Sequence, residues 1–123
     1  MSDFNTQFQA INDFLGNTTK GIFNKIDQFT FKMLVDNLKS NDPDSVMEAI
    51  EQLVKEQRPL GVPPLYFVSR AHPSDVVRAR AAKAIERLGY TKEVEEATKG
   101  KEESVQEATK ALIIKFGNYK QKK

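Results

Sequence analysis

The sequence predicts an all-α protein, and three observations carry that prediction. Apolar residues recur at spacings of three and four along most of the chain. No stretch of useful length alternates apolar and polar residues as a half-buried strand does, and the breaks between periodic stretches fall on proline, glycine and Asn/Asp clusters. A length of 123 residues leaves room for one compact domain.

The elements follow in order. Phe4, Phe8, Ile11 and Leu15 form the apolar stripe of a first amphipathic helix, with Asp3 as its cap and Gly16-Asn17 as its end. A second helical stretch over 19–40 carries Ile22, Phe23, Ile26, Phe29, Met33, Leu34 and Leu38 on its core face, with a break or kink expected at Gln28-Phe29-Thr30-Phe31. Asn41-Asp42-Pro43-Asp44 is a turn cluster in which Asp44 caps the next helix, whose stripe is Val46, Ala49, Ile50, Leu53 and Val54. Three prolines between Arg58 and Pro64 interrupt any helix interior, so Pro63 or Pro64 opens a short helix through Leu65, Tyr66, Phe67 and Val68. His72-Pro73-Ser74-Asp75 turns the chain into an Ala- and Arg-rich helix over 76–88 that stops at Gly89. A short segment over 92–99 ends at Gly100, and a last helix over 103–116 ends at Gly117-Asn118 before a lysine-rich tail.

Composition narrows the chemistry. Zero cysteines remove disulfides, thiolate metal sites and cysteine nucleophiles, and one histidine leaves little for zinc. No apolar run reaches the length of a membrane span, and Met1-Ser2-Asp3 lacks the regions of a signal peptide, so the expected location is cytoplasmic. The formal charge of +2 hides an uneven division. Residues 1–57 hold 5 basic and 9 acidic groups, a balance of −4, whereas 58–123 hold 14 and 8, a balance of +6. Six of the eight phenylalanines fall in the first 31 residues, where they either cover one end of a helical stack or offer an adhesive surface.

An internal repeat organises the second half. An offset of 28 residues superposes Asp75 on Glu103, Val77 on Val105, Ile85 on Ile113, Leu88 on Phe116 and Gly89 on Gly117. The helix over 44–57 joins less well, by a shift of 31, and lacks the terminal glycine. Within this unit Asp75, the Val77-Arg78 pair, the small residues Ala81, Ala82 and Ala84, and Leu88-Gly89 resemble the second helix of a HEAT repeat, in the short variety named after the phycobilisome lyases of cyanobacteria. The resemblance is good over about 15 residues of this stretch, moderate over 101–117, weak over 42–57 and absent from 1–40.

It implies a short α-solenoid of stacked helical hairpins over 41–117, capped by the amphipathic helices of 1–40 and followed by a basic tail over 118–123. It also implies a non-catalytic protein-binding module, a scaffold, adaptor or assembly factor in cyanobacterial photosynthesis, with a phycobiliprotein or photosynthetic complex as partner. No catalytic or bilin-attachment motif of the lyases maps onto the chain, so no catalytic, metal or cofactor residue is assigned. A bilin held noncovalently, as in a lyase subunit or lyase-like chaperone, stays open as an alternative.

The candidate site residues are cationic. Arg80, Lys83 and Arg87 share one helical face, and the repeat offset places Lys115 opposite Arg87, so these four are the expected binding ridge. In a tetrapyrrole complex Arg80, Lys83 or Arg87 would pair the propionates. Asp75 and Arg78 are expected to form a structural ion pair, able to bridge between hairpins. A further alternative is nucleic-acid binding by the basic C-terminal half; the tail, with Lys115, Lys120, Lys122 and Lys123 around Tyr119, reads as a disordered basic end, because stacking platforms need several aromatics on a shaped surface. His72 lacks a partnered nucleophile and reads as a turn residue, and Glu93, Glu95, Glu96, Glu102 and Glu103 lack the spacing of a calcium loop.

Overall fold

A computed structural model describes residues 2–19, 25–40 and 42–117, and these form seven α-helices: α1 (Ser2–Thr19), α2 (Lys25–Asn37), α3 (Pro43–Glu56), α4 (Val62–Ala71), α5 (Asp75–Leu88), α6 (Thr91–Thr98) and α7 (Val105–Gly117). A 3-10 turn over Pro59–Gly61 joins α3 to α4, and the described residues contain no strand. The all-α class is therefore observed.

Local chemistry explains most boundaries. Asp42, not Asp44, caps α3: its side chain accepts from the Asp44 backbone N–H at 3.2 Å and from the Ser45 hydroxyl at 3.2 Å. Pro43 can take the first helical position because the N–H it lacks is not needed there, and the cap lies two residues upstream of the expected Asp44. The same tolerance lets α4 begin at Val62 with Pro63 and Pro64 inside its first turn. Ser74 caps α5 through its hydroxyl, and Gly89 closes it at φ +85°, its N–H donating to the Ile85 and Glu86 carbonyls. Ser104 does for α7 what Ser74 does for α5, accepting from the Glu107 N–H at 3.2 Å, so α7 starts at Val105 and not at Glu103.

Three expectations change. First, α1 runs through Gly16-Asn17 to Thr19. Gly16 is not among the glycines with positive φ, so it does not take the left-handed conformation that closes a helix, and a glycine inside a helix costs only about 0.5–1 kcal/mol. Second, α2 is continuous across Gln28–Phe31, without a break. Third, Leu38, just past the helix end, is buried as expected, but within α2 the core-facing residues are Phe31 and Val35, while Phe29 is 65% and Met33 50% exposed. Both sets are spaced for one side of a helix, and the second was displaced because Phe31, Val35 and Leu38 face the rest of the core. The expectations for Ile22, Phe23, Asn118 and the tail, and for the side chain of Ile26, fall outside what the structure describes.

The core is built around α4, whose residues from Val62 to Val68 are all buried. It lies between α5 and α7 and also touches α1, while α3 packs on α5, α6 on α7, and α2 joins α1 to α3. Phe4 and Phe8 stack on one another and on Phe67 of α4, with ring centroids 5.6 Å apart in each pair. The early phenylalanines of α1 thus point inward, and α1 lies against α7, joining the first helix to the last.

The 28-residue repeat survives in burial. Val77, Ala81, Ala84, Ile85 and Leu88 of α5 correspond to Val105, Thr109, Leu112, Ile113 and Phe116 of α7, and every one is buried or half-buried. The neighbours differ: α5 packs chiefly on α3 and α4, whereas α7 packs chiefly on α4, α1 and α6.

Candidate partner-binding groove

The outer face of α3 forms the floor of an open groove of about 1070 Å³. Leu34 and Asn37 of α2 line one wall, and Arg80 and Arg87 of α5 line the other. The pattern follows from the α3 stripe: turning Val46, Ile50 and Leu53 into the core leaves Glu48, Glu51 and Lys55 facing outward. Met47 sits half-buried in the floor, and Met33 and Phe29 continue outward from Leu34 around α2.

Glu51 is the electrostatic centre. Both of its carboxylate oxygens accept from Arg87 Nη1 at 3.0 Å, and Oε2 lies 3.5 Å from Arg80 Nη1. Two guanidiniums seven residues apart, hence two helical turns on one face, therefore share a single carboxylate. All three side chains are between 42% and 47% exposed, so the cluster is in contact with solvent.

Two residues of the expected ridge, Arg80 and Arg87, come together in this groove. Lys83 is exposed on the same helix between them. Lys115 is half-buried on α7 and is not among the groove residues. Sequence reasoning missed Glu51 and the outward turn of Phe29 and Met33; the only local signal for the latter was the competing stripe Phe31, Val35, Leu38.

The Asp75–Arg78 pair forms, one turn apart at the start of α5. Arg78 Nη1 also donates to the His72 carbonyl oxygen at 2.6 Å, so its bonds stay inside the α4–α5 hairpin and do not bridge to the next one. They tie the end of α4 to the first turn of α5. His72 completes this corner: Nδ1 accepts from the Ser74 N–H at 3.0 Å, and the ring meets Phe4 edge-on with centroids 5.1 Å apart. Burial, and secondarily the positive charge of Arg78, hold the His72 pKa below its ordinary value.

The other buried polar groups serve packing. Asn12 Nδ2 donates to Asp36 Oδ1 at 2.7 Å, linking α1 to α2, and the Thr98 and Thr109 hydroxyls donate to the Val94 and Val105 carbonyls. Among the described residues no buried side-chain nitrogen or oxygen lacks a partner, no group of three or more potential metal ligands gathers, and no helix is long and apolar enough to cross a membrane. Compared with known proteins, the chain matches no family model, no curated protein and no solved structure.

Proposed function

We propose that this chain is a protein-binding module, a scaffold, adaptor or assembly factor, that docks a partner along the α2–α3–α5 groove. The observation that carries the reading is the exposure of Phe29 and Met33, 65% and 50%, on α2, the helix whose Leu34 and Asn37 line the groove. A large aromatic and a methionine one turn apart on a helix, turned away from a core that had room for a competing stripe, are suited to anchoring a partner. Polar and charged groups around them match the polar rim of such surfaces.

The burial register shared by α5 and α7 supports a HEAT-like origin for the part spanning Pro43–Gly117, stacked as a short solenoid. On the resemblance of the α5 sequence to the phycobilisome-lyase repeats, the partner is a phycobiliprotein or related photosynthetic complex met in the cytoplasm of a cyanobacterium. The test is capture from the source cell by the immobilised wild-type protein and by a Phe29→Ser, Met33→Ser variant, followed by mass spectrometry. A partner recovered by the wild type and lost by the variant supports the reading. Equal recovery by both proteins, or recovery of nothing specific, overturns it.

A further inference from the structure

His72, the one histidine of the chain, is buried where α4 ends, α5 begins and α1 packs across, and its bonding depends on its lacking a second proton. Nδ1 accepts from the Ser74 N–H at 3.0 Å, so the neutral ring carries its hydrogen on Nε2. Ser74 is also the cap of α5, its hydroxyl accepting from the Val77 N–H, so the ring steadies the residue on which that helix starts. The same ring meets Phe4 edge-on, and Phe4 stacks in turn on Phe8 and Phe67. The first buried side chain of α1 thus rests partly on the imidazole.

The charged side chains around the ring give a second proton no partner. From α5, Arg78 donates to the His72 carbonyl oxygen at 2.6 Å, and Asp75 is bonded to that guanidinium and 87% exposed. From α1 the described neighbour is Phe4, and on α4 Arg70 lies over the Tyr66 ring, 5.7 Å from its centroid. Among the described side chains no carboxylate bonds to the imidazole. A proton taken up at Nδ1 turns an acceptor into a donor facing the Ser74 donor, and it sets a second positive charge beside Arg78. The face of an aromatic ring attracts a cation, but that gain is smaller than the loss of the hydrogen bond together with the desolvation of a charge.

We propose that His72 is an acid-released latch on the N-terminal end of α1: neutral, it holds Phe4 against the α4–α5 corner; protonated, it leaves Ser74, turns toward solvent and frees the first turn of α1. The latch is independent of the α2–α3–α5 groove, since none of its residues lines it. Opening stays local, because a helix end frays at little cost and because Phe8, Ile11 and Leu15 remain buried further along α1. What acid uncovers is apolar, the Phe4 ring and the part of Phe67 that it covers.

The experiment is a titration of the full chain from about pH 7.5 to about pH 5 by nuclear magnetic resonance, in which the single histidine gives one imidazole signal. The ring, the Ser74 amide and the Phe4 amide are expected to shift together with one midpoint below 6.5. Over the same range the backbone order parameter at Asn5 is expected to fall from about 0.85 to below about 0.6, while that at Ile11 holds. His72→Asn, whose side-chain oxygen accepts from the Ser74 N–H at every pH, is expected to show no such transition. A ring that stays neutral throughout, a ring that titrates without loss of order at Asn5, or a loss of order that His72→Asn repeats overturns the proposal. So does the simultaneous loss of all native signals, which would make acid a cause of global unfolding. Where the variant does not fold, the wild-type titration decides by itself.

Discussion

Truncating Phe8 tests whether α1 is part of the folding unit or an appendage. The ring is fully buried, stacks on Phe4 at an interplanar angle of 15°, and meets Phe67 of the central helix at 40°. Phe8→Ala removes the ring from a site bounded by α4, which is buried along most of its length and has little freedom to collapse. A buried Phe→Ala change costs about 3–5 kcal/mol, and aromatic pairs add roughly 0.5–1.5 kcal/mol beyond area, so the upper part of that range applies. With a urea m-value of about 2 kcal/mol per molar, a loss of about 4 kcal/mol lowers the unfolding midpoint by about 2 M. Urea titration followed by circular dichroism reads this, with Asn5→Ala on the exposed side of the same helix as control, expected to change stability by less than about 0.5 kcal/mol. A Phe8→Ala loss below about 1 kcal/mol would refute the reasoning, because it would mean that α1 leaves the core without unfolding it.

The remaining predictions concern the corners and the groove. His72 is held neutral in the folded state, with its pKa below the unfolded value of 6.5, so the unfolded chain takes up the proton first. Its contribution is complete above pH 6.5 and declines as the pH falls toward the folded pKa, by up to about 1.4 kcal/mol per pH unit. His72→Asn offers an oxygen to the Ser74 N–H in place of Nδ1, so the stability gap between wild type and variant, measured by urea titration, should narrow from pH 7.5 to pH 5.5. Gln57 closes α3 at φ 55°, and Gln57→Gly should raise stability by about 0.5–1 kcal/mol in the same assay. Gly89→Ala should lower it by about 1 kcal/mol although a Cβ there meets no atom within 4 Å, because the cost lies in the backbone conformation. Arg87→Ala should cost no more than about 1 kcal/mol, as expected for an ion pair this exposed; a larger loss would give the Glu51 cluster a structural role.

What the sequence disclosed was the chemistry that acts over a few residues. α5 is the clearest case, since Ser74, the alanines and Gly89 act on their own helix, and its stripe of Val77, Ala81, Ala84 and Ile85 is the buried one. The end of α1 was not legible because a glycine closes a helix only when it takes the left-handed conformation, and Gly16 does not. The face of α2 was ambiguous in principle: Phe29 and Met33 compete with Phe31, Val35 and Leu38, and the choice is made by helices elsewhere in the chain. In the groove, the cationic face of Arg80 and Arg87 was visible from spacing, but its carboxylate lies 36 residues before Arg87, and no local pattern connects them. Lys115 shows the opposite failure, since it matches Arg87 in register while its helix packs on different neighbours.

That difference between two helices of one register bears on where a partner can sit. α5 presents Ala81 and Ala84 where α7 presents Thr109 and Leu112, and Leu88 where α7 presents Phe116. Helix separation is set by the side chains at the contact, so alanines let α5 come close to its neighbours, whereas the larger residues of α7 fill the space among α4, α1 and α6. α7 packs on three helices, while α5, packed chiefly on α3 and α4, leaves Arg80, Lys83 and Arg87 exposed where α7 has the buried or half-buried Ala108, Ala111 and Lys115. At these three positions, the face of the repeat that α7 gives to its own chain is left open in α5.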